Sequence, residues 1–106
     1  MSGKGLDELN WSEWLDFNKS TIESIPEEPG IYKMHASMKM LYIGSNSQNI
    51  RQSLLGFLSD PCIGKATRFS YAMSDSPDKV KEQLIIEYRS KHNAKLPLCM
   101  EEERHK

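Results

Sequence analysis

Gly30-Ile31-Tyr32-Lys33-Met34-His35-Ala36-Ser37-Met38-Lys39-Met40-Leu41-Tyr42-Ile43-Gly44 is the stretch that decides the fold. Ile31, Tyr32, Tyr42 and Ile43 are strong strand formers, so Gly30–Met34 and Met40–Gly44 read as two strands. The linker from His35 to Lys39 is short enough for a hairpin, although it lacks the Asn-Gly signature. Side chains alternate along a strand, so Tyr42 and Gly44 share a face. Gly44 ends its strand without a side chain, which lets a phosphate or the following backbone come close.

Working outward, Ser45 to Gln48 is a polar loop and Asn49 a candidate helix cap. Ile50, Leu54, Phe57 and Leu58 then recur at helical spacing, and Asp60-Pro61 ends the pattern. Thr67 to Met73 alternates Phe69, Tyr71 and Met73 with polar or small residues, as a half-buried strand does. Ser76-Pro77 starts a helix with the apolar stripe Val80, Leu84, Ile85 and Tyr88, fading near His92-Asn93. Leu96 to Met100 is expected to add a short extended segment, and 101–106 a frayed charged tail. On the N-terminal side, Pro26-Glu27-Glu28-Pro29 interrupts regular structure. Before it, Asn10 and Glu13 form a capping-box pattern, with Trp11, Trp14 and Leu15 on one face of a helix running to Phe17. The expectation is an α/β (α+β) domain with a small central antiparallel three-stranded sheet flanked by helices. Residues 1–26 form an extension with a short extra helix, 27–100 the main domain, and 101–106 the tail.

The chain has 106 residues, 38% hydrophobic and 27% charged, which suits one folded domain rather than disorder. No apolar run approaches the roughly 20 residues needed to cross a membrane. Met1 to Gly5 has no apolar segment behind it, so no signal peptide is expected. Cys62 and Cys99 form no CxxC motif and read as reduced thiols in a cytoplasmic protein, with a disulfide or a metal pair as the alternatives. The net charge of −1 hides a split. Residues 1–29 carry two lysines against seven acids, and residues 30–100 carry ten lysines and arginines against five acids. A basic body suits a phosphate-bearing partner, and acidic ends would temper non-specific binding.

Gly30-Ile31-Tyr32 and Tyr42-Ile43-Gly44, followed by a polar loop, an amphipathic helix and a strand-then-helix unit, resemble the GIY-YIG family over about residues 27–97. The known members of that family mostly cut nucleic acid with one divalent metal. The resemblance implies that Tyr32 handles the attacking water and Tyr42 orients the site. Glu82 falls on the position of the family's metal-holding glutamate, for one Mg²⁺ or Mn²⁺, with Glu87 as the alternative. A single carboxylate keeping several waters is a normal way to hold Mg²⁺, and the metal would polarise the phosphodiester. Gly44, Lys65, Arg68, Arg89 and, loosely in register, Asn93 are the candidate nucleic-acid contacts.

One departure concerns the phosphate clamp. The family expects an arginine eight residues after the second glycine, where this chain has Gln52, with Arg51 one position earlier. If the loop carries one extra residue, Ser53 takes that slot. Arg51 is therefore a displaced catalytic candidate, and Arg68, Arg89 and Lys65 are the other cations available. Two functions follow from the resemblance. The first is a metal-dependent endonuclease acting on DNA, or else RNA. The second is a catalytically inactive scaffold that binds nucleic acid or a protein partner, which would also supply targeting. Met34, His35, Met38 and Met40 would suit soft Cu(I) by ligand type, but strand alternation explains them more cheaply.

Overall fold

The computed structural model describes residues 9–100. The charged tail expected to fray, 101–106, and the start of the N-terminal extension lie outside the described residues. In chain order the elements are β1 (Leu15–Asp16), α1 (Lys19–Ile22), β2 (Gly30–Ala36), β3 (Lys39–Asn46), α2 (Ile50–Phe57), β4 (Arg68–Met73) and α3 (Pro77–Lys91). A 3-10 turn at Ile63–Lys65 precedes β4. The strands form one antiparallel sheet in the order β1-β4-β2-β3.

The hairpin forms where the sequence places it, with both strands longer than expected. Ser37 and Met38 connect them, and both have positive φ, 48° and 67°. Two such residues in a two-residue loop match the strands' right-handed twist, normally through Asn-Gly. Tyr32 faces Gly44 and Met34 faces Tyr42, yet His35 faces Met40. Leu41 is thus an extra residue, a β-bulge in β3. Because of it, consecutive Leu41 and Tyr42 both join the same core.

Alternation divides the sheet into two packed faces. Tyr32, Met34, Leu41 and Phe69 meet Ile22, Ile25, Ile50 and Leu54 on the side of α1 and α2. Ile31, Ile43 and Ala72 meet Val80 and Leu84 of α3 on the other side. Asn49 caps α2 by accepting from the Gln52 backbone N–H, as its sequence position suggests. Ser76 precedes Pro77 at the start of α3 but makes no side-chain cap bond.

Four expectations are corrected. The segment from Asn10 to Phe17 is not helical: it is extended, and β1 pairs Leu15 with Phe69. Ser12 donates its backbone N–H to the Tyr71 carbonyl at 2.8 Å, and its carbonyl accepts from Ser70 Oγ at 2.7 Å. The open edge of β4 satisfies these backbone groups, which outweighs a capping box worth about 1 kcal/mol. The short helix comes later, at α1, where Asn18 accepts from the Thr21 N–H at 2.8 Å. The sheet consequently has four strands rather than three. Residues 98–100, expected to be extended, are helical. Cys62 and Cys99 are not free thiols but a disulfide, with Cα atoms 5.7 Å apart. Their sequence separation of 37 residues gave no spacing signal, because the fold of β4 and α3 is what returns Cys99 to Cys62.

Candidate functional site

The two tripeptides build a dense aromatic cluster. Tyr32 and Tyr42 lie with ring centroids 6.5 Å apart, and Phe57 of α2 meets them edge-on at 5.7 and 5.4 Å. Gly44 is required by this packing. A Cβ there would stand 2.6 Å from a carbon of each tyrosine ring. Gly30 is required likewise, because its Cβ would stand 2.5 Å from the Ala72 carbonyl oxygen. Both glycines therefore have a reason in close approach, independent of any ligand.

Tyr32 is only 2% exposed. Burial pushes its phenol up to about 12, a hydrogen bond with Ser53 works against the rise, and Tyr42 adds to it. At neutral pH the hydroxyl keeps its proton. Ser53, in the slot where the resemblance asks for arginine, also accepts a hydrogen bond from the Asn46 side chain at 2.7 Å. Tyr42 is half-buried.

Arg51 is directed elsewhere. Its Nε and one terminal nitrogen donate to the Ile25 carbonyl at 2.9 and 2.7 Å, and Glu27 stands 3.6 Å from the other. The guanidinium ties α2 to the segment after α1. Glu82 is exposed on α3, which covers the sheet face opposite the tyrosine rings. One turn earlier on that helix, Asp78 accepts a 2.6 Å hydrogen bond from Ser45 Oγ. A Mg²⁺ or Mn²⁺ ion needs only one protein carboxylate if it keeps its waters. Glu82 lies on the helix packed against one face of the sheet, and the Tyr32 ring packs on the other. Among the described residues no three His, Cys, Asp or Glu side chains gather.

The remaining candidates are dispersed. Arg68, on the α3 face of β4, pairs with Asp16 of β1 at 3.1 Å. Lys65 is exposed in the 3-10 turn. Arg89 donates to the Ala94 carbonyl at 3.2 Å, helping to close the end of α3. Asn93 has φ 57°, a left-handed residue just beyond that helix.

Beside Asn93 lies a feature that the sequence reading missed. The tip of the hairpin and the end of α3 enclose an open groove of about 930 Å³. His35, Lys39, Tyr88, Lys91, His92 and Lys95 line it, and no carboxylate does so among the described residues. The rings of Tyr88 and His92 stack at 3.8 Å, 11° from parallel, and burial raises the Tyr88 phenol. On the same face, the Lys33 ammonium lies 4.1 Å from the centroid of the Trp11 ring. Burial lowers the Lys33 pKa, Glu87 opposes this, and Lys91 adds to it. Lysines at a hairpin tip and at a helix end carry no joint signal in sequence, because only the packing of α3 on β2 and β3 brings them together.

Compared with known proteins, the chain matches no family model, no curated protein and no solved structure. No helix among the described residues is long and apolar enough to cross a membrane.

Proposed function

We propose that this chain is a GIY-YIG-like domain that binds nucleic acid without cutting it. The observation that carries this reading is the sealing of Tyr32. A phenol 2% exposed, protonated at neutral pH and backed by Ser53 rather than a guanidinium is poorly placed to activate water on a phosphodiester. The displaced arginine supports the same reading, since Arg51 already holds the Ile25 carbonyl and is not free to clamp a phosphate. The basic body of the chain, residues 30–100, supports a polyanionic partner. DNA is the first candidate and RNA the second, with a protein partner supplying targeting. The Cys62–Cys99 bond favours an oxidising setting over the reducing cytoplasm expected from the sequence.

The second reading, a Mg²⁺- or Mn²⁺-dependent nuclease using Tyr32, Tyr42 and Glu82, keeps one supporting observation: the letter-for-letter tripeptides on paired strands. A cleavage assay on branched, nicked and single-stranded DNA, with and without Mg²⁺ or Mn²⁺, separates the two. The expected result is binding with no cleavage by either the parent or Glu82→Ala. Metal-dependent cutting by the parent that Glu82→Ala abolishes would overturn the non-cutting reading.

A further inference from the structure

The groove at the hairpin tip is untouched by the tyrosine cluster. Its lining comes from four parts of the chain: His35 from β2, Lys39 from β3, Tyr88 and Lys91 from α3, and His92 and Lys95 from the segment after it. Lys39, Lys91 and Lys95 are all exposed and among the described residues face no carboxylate on its wall. The C-terminus of α3 contributes roughly half a negative charge at most, Glu87 one turn before Lys91 adds one carboxylate beside the groove, and the three ammonium groups outweigh both. That balance selects an anion. It also argues against a soft metal ion, although His35, His92, Met38 and Met40 all line the groove.

The ring pair narrows the choice of anion. His92 is exposed, and its ring is held flat against Tyr88 while its Nδ1 stands 2.8 Å from the Tyr88 carbonyl oxygen. The ring orientation is thus fixed before any ligand arrives. A fixed flat ring beside lysines is what an unstacked base needs: aromatic faces take bases of any identity, and cations track the backbone. A duplex hides its base faces inside the stack and could use only the lysines.

The groove also has a pinned wall. Leu96 and Leu98 line it. Between and just beyond them Pro97 is buried, and Cys99 is buried and bonded to Cys62.

We infer that this groove binds a single strand of nucleic acid, with its phosphates on Lys39, Lys91 and Lys95 and a base against the His92–Tyr88 ring pair. The inference rests on the nucleic-acid reading above and adds the site and the strandedness.

The test is fluorescence anisotropy of the full chain with a labelled oligothymidylate at low salt, compared with a duplex of the same length. Three variants accompany the parent, each checked for its thermal midpoint: Lys39→Glu/Lys95→Glu, His92→Ala, and the control Lys19→Glu/Lys79→Glu. The control makes the same charge change at exposed lysines outside the groove. The groove pair is expected to weaken single-strand binding about tenfold or more and to flatten its salt dependence. The control is expected to stay within about twofold of the parent. His92→Ala is expected to cost about fivefold on the single strand and to leave duplex binding unchanged. Equal losses in the groove pair and the control would overturn the site, and so would no loss in the groove pair. Duplex binding as tight as single-strand binding, or no effect of His92→Ala, would overturn the single-strand assignment. If the parent binds no nucleic acid at all, the broader reading itself falls. If it binds and only the variants disagree, the broader reading stands and the groove does not.

Discussion

The aromatic cluster under α2 and the lysine groove at the end of α3 lie against opposite faces of one sheet, and they solve opposite problems. Under α2 the side chains close on one another, and among the described residues no buried side-chain polar atom lacks a partner. Gly44 gives up its side chain so that two tyrosine rings can close over it, and Phe57 fills the remaining side. At the hairpin tip the same strands run past the packed part of α3, and space remains between polar side chains. The difference teaches that residues with a functional look can be fully used by packing. Tyr32 and Gly44 would be needed here even if no ligand existed. Tyr88 packs partly against the α3-side core, but the groove's lysines and His92 are exposed.

The contrast predicts unequal tolerance to substitution. The largest effect should come from the covalent pin that holds the groove's far wall. Cys62→Ser/Cys99→Ser opens a long loop, and chain entropy alone puts the loss at about 4 kcal/mol. Chemical denaturation of the oxidised parent and the double variant checks this. A loss below about 1 kcal/mol would mean that the pin matters little to stability.

Gly44→Ala comes next. Its new methyl meets two rings at 2.6 Å, neither of which is a free chain end, so about 3 kcal/mol should be lost. If the variant is as stable as the parent, the cluster is looser than its geometry implies, and the contrast between the faces weakens.

The third effect is confined to alkaline pH. Burial pushes the Tyr32 phenol up to about 12 in the folded chain, from its ordinary value of 10.0. Between these values the unfolded chain releases the proton and the folded one keeps it. Stability therefore falls as pH rises above 10 and levels off above 12, by roughly 2–3 kcal/mol. Tyr32→Phe should remove that component from the pH dependence of unfolding. An unchanged alkaline slope would show that the hydroxyl is not sealed.

The smallest effect belongs to the open side. Glu82→Gln should change stability by less than about 0.5 kcal/mol, because the side chain is exposed. A larger loss would mean that Glu82 has a structural partner and that the open side is not as free as described.

The hairpin, α2, β4 and α3 were legible because each depends on local pattern: strand-forming residues in β2 and β3, alternation in β4, and caps and apolar spacing in the helices. The N-terminal segment was misread because its capping box is a local signal that lost to a distant one, the unpaired edge of β4. The disulfide escaped for a similar reason, since no spacing rule reports which loops a fold returns to one place. Among the candidate site residues, alternation along β3 made it legible that Tyr42 and Gly44 share a face, whereas the register that sets Tyr32 opposite Gly44 had no local signal. Arg51 was visible as a displaced arginine, but its attachment to the Ile25 carbonyl depends on how α1 packs beside α2. The lysine groove had no local signature at all.

Leu41 has a consequence of a different kind. The strand pairing is regular on both sides of it, and the residues beyond it keep the faces they would have if it were absent. Deleting that one residue would leave Met40 opposite His35 and Tyr42 opposite Met34, with no side chain exchanged between faces. A one-residue deletion in a strand ordinarily inverts everything past it. Here the reading frame of the hairpin is already compensated, and the deletion would remove one buried leucine and nothing else. Leu41 is thus dispensable to the ladder, and its place in the chain is owed to the core alone.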